Sequence, residues 1–140
     1  MRASVESYAL DANVILRFIL HDHEEMWAKA REIMLAASEG QIVVHCDPVI
    51  VAEVVLVLSS NYRTPRKRIA ESLELILKPQ STILPNKRRY LHALRIYAET
   101  NAHFGDACAC AAALEDCEGR LFSFDRELSN IEDISRSEHA

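Results

Sequence analysis

The chain has 140 residues, 49% of them hydrophobic, with a net charge of −5, three glycines and four prolines. This composition suits a single domain over residues 1–140 with a solid core, and it leaves little room for linkers or low-complexity tails. The acidic balance argues against a protein that coats nucleic acid by charge alone, but not against one that holds nucleic acid through bound cations.

The first strand is expected at Ser7 to Leu10, an apolar run that ends abruptly in Asp11. It reads as a buried strand delivering Asp11 to its tip, with Asn13 capping the helix Val14 to Leu20. His21-Asp22-His23 breaks that helix. A second helix follows from Glu24 to Ser38, with Trp27, Ala30, Met34 and Ala37 along one face and two glutamates suiting its N-terminal dipole. Gln41 to His45 is short and β-branched, so it reads as a strand. Asp47-Pro48 is an N-cap followed by proline at the first helical position. The helix it opens, reaching about Tyr62, is apolar on all sides in its first half and should be buried on most sides. Its one charge there is Glu53.

Thr64-Pro65 repeats the cap-then-proline signal and opens a helix to Leu77, with Ile69, Leu73, Ile76 and Leu77 inward. Ser81 to Leu84 reads as a short third strand. Lys87 to Thr100 is amphipathic, with Tyr90, Leu91, Leu94, Tyr97 and Ala98 inward. Gly105-Asp106 opens a helix of small residues, Ala107 to Glu118. Leu121 to Phe124 is a fourth strand with Asp125 at its tip, and a fifth strand is expected near Ile131 to Ile134. Strands alternating with helices predict an α/β fold: three layers, α/β/α, around a mostly parallel sheet of four or five strands.

The longest apolar run is far short of the roughly 20 residues of a membrane-spanning helix, and no signal-peptide pattern is present. A soluble, cytoplasmic protein with no membrane partner is expected. Cys46, Cys108, Cys110 and Cys117 form no C-x-x-C pair and read as small buried hydrophobes in a reducing compartment. His21 and His23 lack partners at zinc-ligand spacing.

Four acids stand at special places. Asp11 and Asp125 each end a predicted strand, Asp106 lies in the first turn of a helix, and Glu53 is a lone charge in an apolar one. Each has a plain alternative as a helix cap or dipole partner. Glu53 is the hardest to dismiss, because a carboxylate in an apolar setting is costly unless paired or metal-bound, and no arginine or lysine stands three or four residues away. Parallel crossovers put strand ends and the helices they feed on one edge of the sheet, which draws Asp11, Glu53 and Asp125 together. Clustered carboxylates suit hard divalent cations such as Mg²⁺ or Mn²⁺. Such ions activate water and stabilise in-line phosphoryl displacement.

The segments Leu10-Asp11-Ala12-Asn13-Val14-Ile15-Leu16-Arg17, Val51-Ala52-Glu53-Val54-Val55, Phe104-Gly105-Asp106-Ala107 and Phe122-Ser123-Phe124-Asp125-Arg126 resemble, in this order, the PIN-domain family. The resemblance is closest to its VapC-type toxin ribonucleases and covers Ala9 to about Ile134. It implies a three-layer α/β fold and a metal-dependent endoribonuclease. Asp11, Glu53, Asp106 and Asp125 would be its catalytic and metal-binding quartet. Asn13 and Ser123 match its supporting polar positions. His103 stands near a position where many members carry a further acid. The resemblance also implies an RNA substrate, a homodimer and a small antitoxin partner.

Other phosphotransfer folds fit less well. A response-regulator receiver needs paired acids near the first strand and a lysine after the last. A haloacid-dehalogenase phosphatase needs Asp-x-Asp, and Asn13 occupies the second position. A non-catalytic PIN-like binding module is disfavoured because all four acids are present. Arg63, Arg66, Lys67 and Arg68 are candidates for RNA phosphate contact, as is the run Lys87, Arg88 and Arg89.

Overall fold

The computed structural model describes residues 4–140. The chain forms two compact units, one running to Lys87 and the other from Arg88 to Ala140.

The first unit holds three parallel strands, β1 (Ser7–Ala9), β2 (Val43–His45) and β3 (Thr82–Ile83), in the order β1-β2-β3. Helices α1 (Ala12–Leu20) and α2 (Glu24–Ser38) connect β1 to β2, and α3 (Pro48–Ser60) and α4 (Arg66–Leu77) connect β2 to β3. Ala9 lies opposite His45, and His45 opposite Ile83. The ladder continues past the strands, with Leu10 N–H donating to the His45 carbonyl and Cys46 N–H to the Ile83 carbonyl, each at 2.8 Å. The core of this unit is Ile15, Val44, Val51, Val54, Leu58, Ile69, Leu73 and Leu77, all but inaccessible to solvent.

The second unit holds α5 (Lys87–Glu99) from its second residue on, α6 (Phe104–Asp116), β4 (Arg120–Phe122), a 3₁₀ turn (Arg126–Asn130) and β5 (Ser135–Ser137). β4 and β5 pair in parallel, Arg120 opposite Ser135. Small residues let α6 close tightly, with Ala107, Cys110 and Ala111 fully buried. Tyr97 of α5 meets Phe104 of α6 edge to face, ring centres 6.0 Å apart.

The α/β class and the parallel pairing match expectation. The strands differ in being divided between a three-stranded and a two-stranded sheet. β1 is the outer strand of its sheet, and all its residues are exposed, so the expected buried strand is an edge strand. The fifth strand begins one residue beyond the expected segment, because the chain must first clear a turn at Asp133, whose φ is 65°. At α4 the cap is Pro65 rather than Thr64, and no side chain satisfies the first amides.

Two glycines make opposite demands. Gly119 joins α6 to β4 with φ +82°, and a Cβ there would stand 2.0 Å from the Asp133 carbonyl oxygen. Gly105 lies in α6 with nothing within 4 Å of its missing Cβ. Gly119→Ala should therefore destabilise the protein by at least about 2 kcal/mol, the cost of a strained conformation plus a backbone clash. Gly105→Ala should stabilise it by about 0.5–1 kcal/mol, the helix-propensity difference. Urea unfolding of both variants checks the pair, and equal effects would contradict the geometry.

Candidate functional site

In the first unit, parallel register sets two acids on one sheet edge. Ala9 is opposite His45, and two residues beyond each stand Asp11 and Asp47, the N-cap residues of α1 and α3. Their fates differ. The Asp47 carboxylate accepts from Val49 N–H at 2.9 Å and works as a cap. The Asp11 backbone has the extended geometry of an N-cap, yet its side chain accepts no capping hydrogen bond. Its carboxylate is exposed and has no ion pair or hydrogen bond among the described residues. Asn13 does not cap α1 as expected, because the helix starts one residue before it; it is an exposed first-turn carboxamide.

Glu53 lies five residues into α3, about 7.5 Å along the axis from its start. It is exposed rather than enclosed. The expectation that α3 is covered on most sides is corrected here: Val49 is 71% and Leu56 63% accessible, and with Ala52 and Glu53 they form one outward stripe. The apolar residues that sequence could not rank divide between this stripe and the buried face of Val51, Val54, Val55 and Leu58. Glu53 is likewise unpaired among the described residues.

In the second unit, α6 runs back along β4 before the short turn at 117–119, so its N-terminus lies toward the end where β4 finishes. Asp106 sits in that first turn, half-buried, and its charge adds to the burial that pushes the Cys110 thiol up. Asp125 follows β4 and caps the 3₁₀ turn, one oxygen accepting from Glu127 N–H at 3.0 Å. Ser123 Oγ accepts from Asp125 N–H at 3.0 Å, and the Ser123 carbonyl accepts from Arg136 at 2.7 Å. Ser123 thus positions Asp125. The plain reading of Asp125 as a cap is correct as far as one oxygen goes.

A cavity of about 330 Å³ opens beside Asp125, lined also by Asn101, His103, Asn130 and the apolar Leu128 and Ile131. Sequence reading did not single out Asn101 or Asn130, since neither belongs to a motif or a periodic face. Their one signal is position, each in the segment that borders a helix or turn end.

Of the basic residues, Arg63, Lys67 and Arg68 are exposed, Arg63 with φ 50°, while Arg66 is half-buried and engaged. The second run is mostly committed. Lys87 donates to the Pro79 carbonyl at 2.9 Å, with burial lowering its pKa, and Arg89 pairs with Glu115 and Asp116. The cysteines are free thiols. Burial pushes Cys46 and Cys108 up to about 11, while Cys117 is exposed, against the expectation that all are buried.

Carboxylate oxygens without protein partners are hard donors of the kind Mg²⁺ and Mn²⁺ take, and Asp11, Glu53 and Asp106 supply them. Among the described residues, no group of three or more His, Cys, Asp or Glu side chains is gathered for a metal ion. The PIN domain model matches residues 8–134, from within β1 to just short of β5, through both units. The chain belongs to the PIN domain family. No curated protein matches it. PIN domains are generally nucleases, and those nucleases usually use divalent metals. None of the helices among the described residues of this PIN domain is long and apolar enough to cross a membrane.

The two strand-end acids should respond differently to truncation. Asp125→Ala removes a working cap and should cost about 1 kcal/mol. Asp11→Ala removes no hydrogen bond and should change stability by less than about 0.5 kcal/mol. Urea unfolding in EDTA measures both, and a larger loss at Asp11 would show that it caps in solution. The thiols should separate as well. The thiolate is the reactive form, so Cys117 should label rapidly at pH 8 while Cys46 and Cys108 stay slow. Their rates should climb about tenfold per pH unit towards 11, since a raised pKa leaves the thiol protonated at lower pH. Mass spectrometry of partly labelled protein reads all three.

Proposed function

We propose that this PIN domain is a metal-dependent endoribonuclease, using Mg²⁺ or Mn²⁺, with Asp11, Glu53, Asp106 and Asp125 as metal ligands. The observation that carries this reading is Asp11, a carboxylate set at the end of a parallel strand, in a cap position, that caps nothing. A residue type that would ordinarily satisfy the helix is left with both oxygens available for a cation. Glu53 and Asp106 add carboxylates with no hydrogen bond or ion pair among the described residues.

The divalent ion, when bound, supplies an activated water and charge stabilisation for displacement at a phosphodiester. The chain's own part is to fix the donors. The Leu10 amide bond to the His45 carbonyl anchors the residue before Asp11. Ser123 Oγ holds the Asp125 amide, and Arg136 holds the Ser123 carbonyl. The Asn13 carboxamide, exposed in the first turn of α1, is available to a substrate hydroxyl or a water. Arg63, Lys67 and Arg68 offer cations for the RNA backbone, and Arg66 completes that group.

The finer reading follows the resemblance to VapC-type toxins. The protein acts in the cytoplasm as the toxin of a toxin–antitoxin pair, forms a homodimer and is held inactive by a small antitoxin. Leu75, 70% accessible on the outer side of α4, supports an apolar contact with another chain.

Purified protein should cut unstructured RNA internally with Mn²⁺ and not with EDTA. Asp11→Asn and Asp106→Asn should each lower the rate at least about a hundredfold, since a metal's charge stabilisation amounts to several kcal/mol. Mn²⁺ at a hundred times its Kd should stabilise the wild type by about 2.7 kcal/mol through binding the folded state alone. Asp11→Asn should gain less. Cleavage at the wild-type rate in EDTA would overturn the reading.

A further inference from the structure

The cavity beside Asp125 belongs wholly to the second unit, and no step described above uses its far wall. We propose that it is a nucleobase subsite, which reads one base of the RNA next to the cleaved bond. This rests on the nuclease reading of the chain.

Size, lining and charge point the same way. About 330 Å³ is at the small end of ligand sites, enough for one base with part of its ribose. Three lining side chains have polar atoms and no partner among the described residues: Asn101, His103 and Asn130. A carboxamide presents a donor and an acceptor side by side, which matches the paired groups on a base edge. Two carboxamides and an imidazole therefore offer polar groups for an edge, and the half-buried Ile131 offers apolar surface for a ring face. Single-stranded RNA is recognised in just this way, by bases splayed out and read on their edges.

The other lining groups narrow the choice. The Thr100 hydroxyl donates to the Ile96 carbonyl at 2.7 Å and accepts from Ala102 N–H at 3.2 Å, so it is spent on the backbone. The charged residues lining the cavity are Asp125 and Glu127, both acids, and it has no lysine or arginine. A bare phosphate is repelled there, whereas an uncharged base is not. His103 takes the N-cap position of α6 without capping it, so its ring keeps both nitrogens for a ligand. His103 stands at the N-cap of α6 and Asn130 at the end of the 3₁₀ turn, elements that fix their positions, and Asn101 lies in the short segment between α5 and α6.

The test uses the wild-type chain in EDTA, titrated with adenosine, guanosine, cytidine and uridine and followed by amide NMR. Nucleosides carry no phosphate, so binding reports the base and sugar alone. One nucleoside should shift the amides around Asn101, His103 and Asn130 and bind at least about fivefold tighter than the weakest. Asn101→Ala and Asn130→Ala should each weaken it about tenfold, the effect of a good base-edge contact. Both side chains are exposed and unbonded, and the same spectra confirm that the variants fold. A second arm sequences the RNA ends made with Mn²⁺: the wild type should favour that base beside the cut, and the variants should lose the preference. Absence of shifts at these amides with every nucleoside, or variants that bind as the wild type does, would overturn the subsite. Nucleoside binding without any cleavage would instead overturn the nuclease reading and leave the subsite standing.

Discussion

Parallel pairing of β1 on β2, with Ala9 opposite His45, is the constraint on which the first unit depends. A parallel pair needs a long crossover, and here α1 and α2 provide it. The crossover brings the chain back to start β2 at the far edge, so both strands finish on one edge. Each strand then turns into a helix within two or three residues, and each turn carries an aspartate. Hydrogen bonds at 2.8 Å from Leu10 to His45 and from Cys46 to Ile83 carry the ladder beyond the formal strands. They hold the residues just before Asp11 and Asp47, so the acids hang from a fixed edge rather than a loose loop. The second unit uses the same logic in reverse order, helix before strand, with α6 packed on β4 and Asp125 just past the strand.

What distinguishes the acids is the work each does for the fold. Asp47 and Asp125 satisfy helix-end amides that would otherwise lack partners. Asp11, Glu53 and Asp106 have no hydrogen bond or ion pair among the described residues. A cap contributes about 1 kcal/mol, so an aspartate in cap geometry that forgoes it gives up stability for an available carboxylate. The two kinds of acid are chemically identical, and only the hydrogen bonds separate them.

That is also why the sequence was readable to a certain depth. The inward face of α4 followed from periodicity, because apolar residues three and four apart must share a side, whereas in α5 only Leu94 and Tyr97 of the expected face are buried, and Ala93 and Ile96 join them in place of Tyr90, Leu91 and Ala98. Asp11 and Asp47, by contrast, carry the same signal, an acid after a strand and before a helix, and no pattern says which one caps. α3 shows a second limit. Its first half is apolar all round, so periodicity had nothing to act on, and the outward stripe of Val49, Ala52, Glu53 and Leu56 emerged only with its neighbours in place. Strand pairing was the third. Strands of two or three residues form few ladder bonds, and their partners depend on turns such as the one at Asp133, which composition does not reveal. The four motif acids were legible as residues, and the carboxamides of Asn101 and Asn130 were not, because no spacing rule links them.

The acidic total of the chain says little about its affinity for a polyanion. At physiological salt a charge acts over about 8 Å, so the local arrangement decides. Many of the cations are neutralised where they stand: Arg17 by Asp22, Arg89 by Glu115 and Asp116, Arg120 by Glu118, Arg136 by Glu138. Those groups set five acids against four cations and leave no positive field for a phosphate. Arg63, Lys67 and Arg68 are different, being exposed, close in sequence and without an ion pair among the described residues. They surround the start of α4, whose first amides no side chain caps and whose first turn holds no acid. Cations at the positive end of a helix repel its dipole, an arrangement that gains from an anion and from little else. The net charge of −5 thus combines a set of locally paired charges, a set of acids without an ion pair among the described residues, and one basic turn at the start of α4.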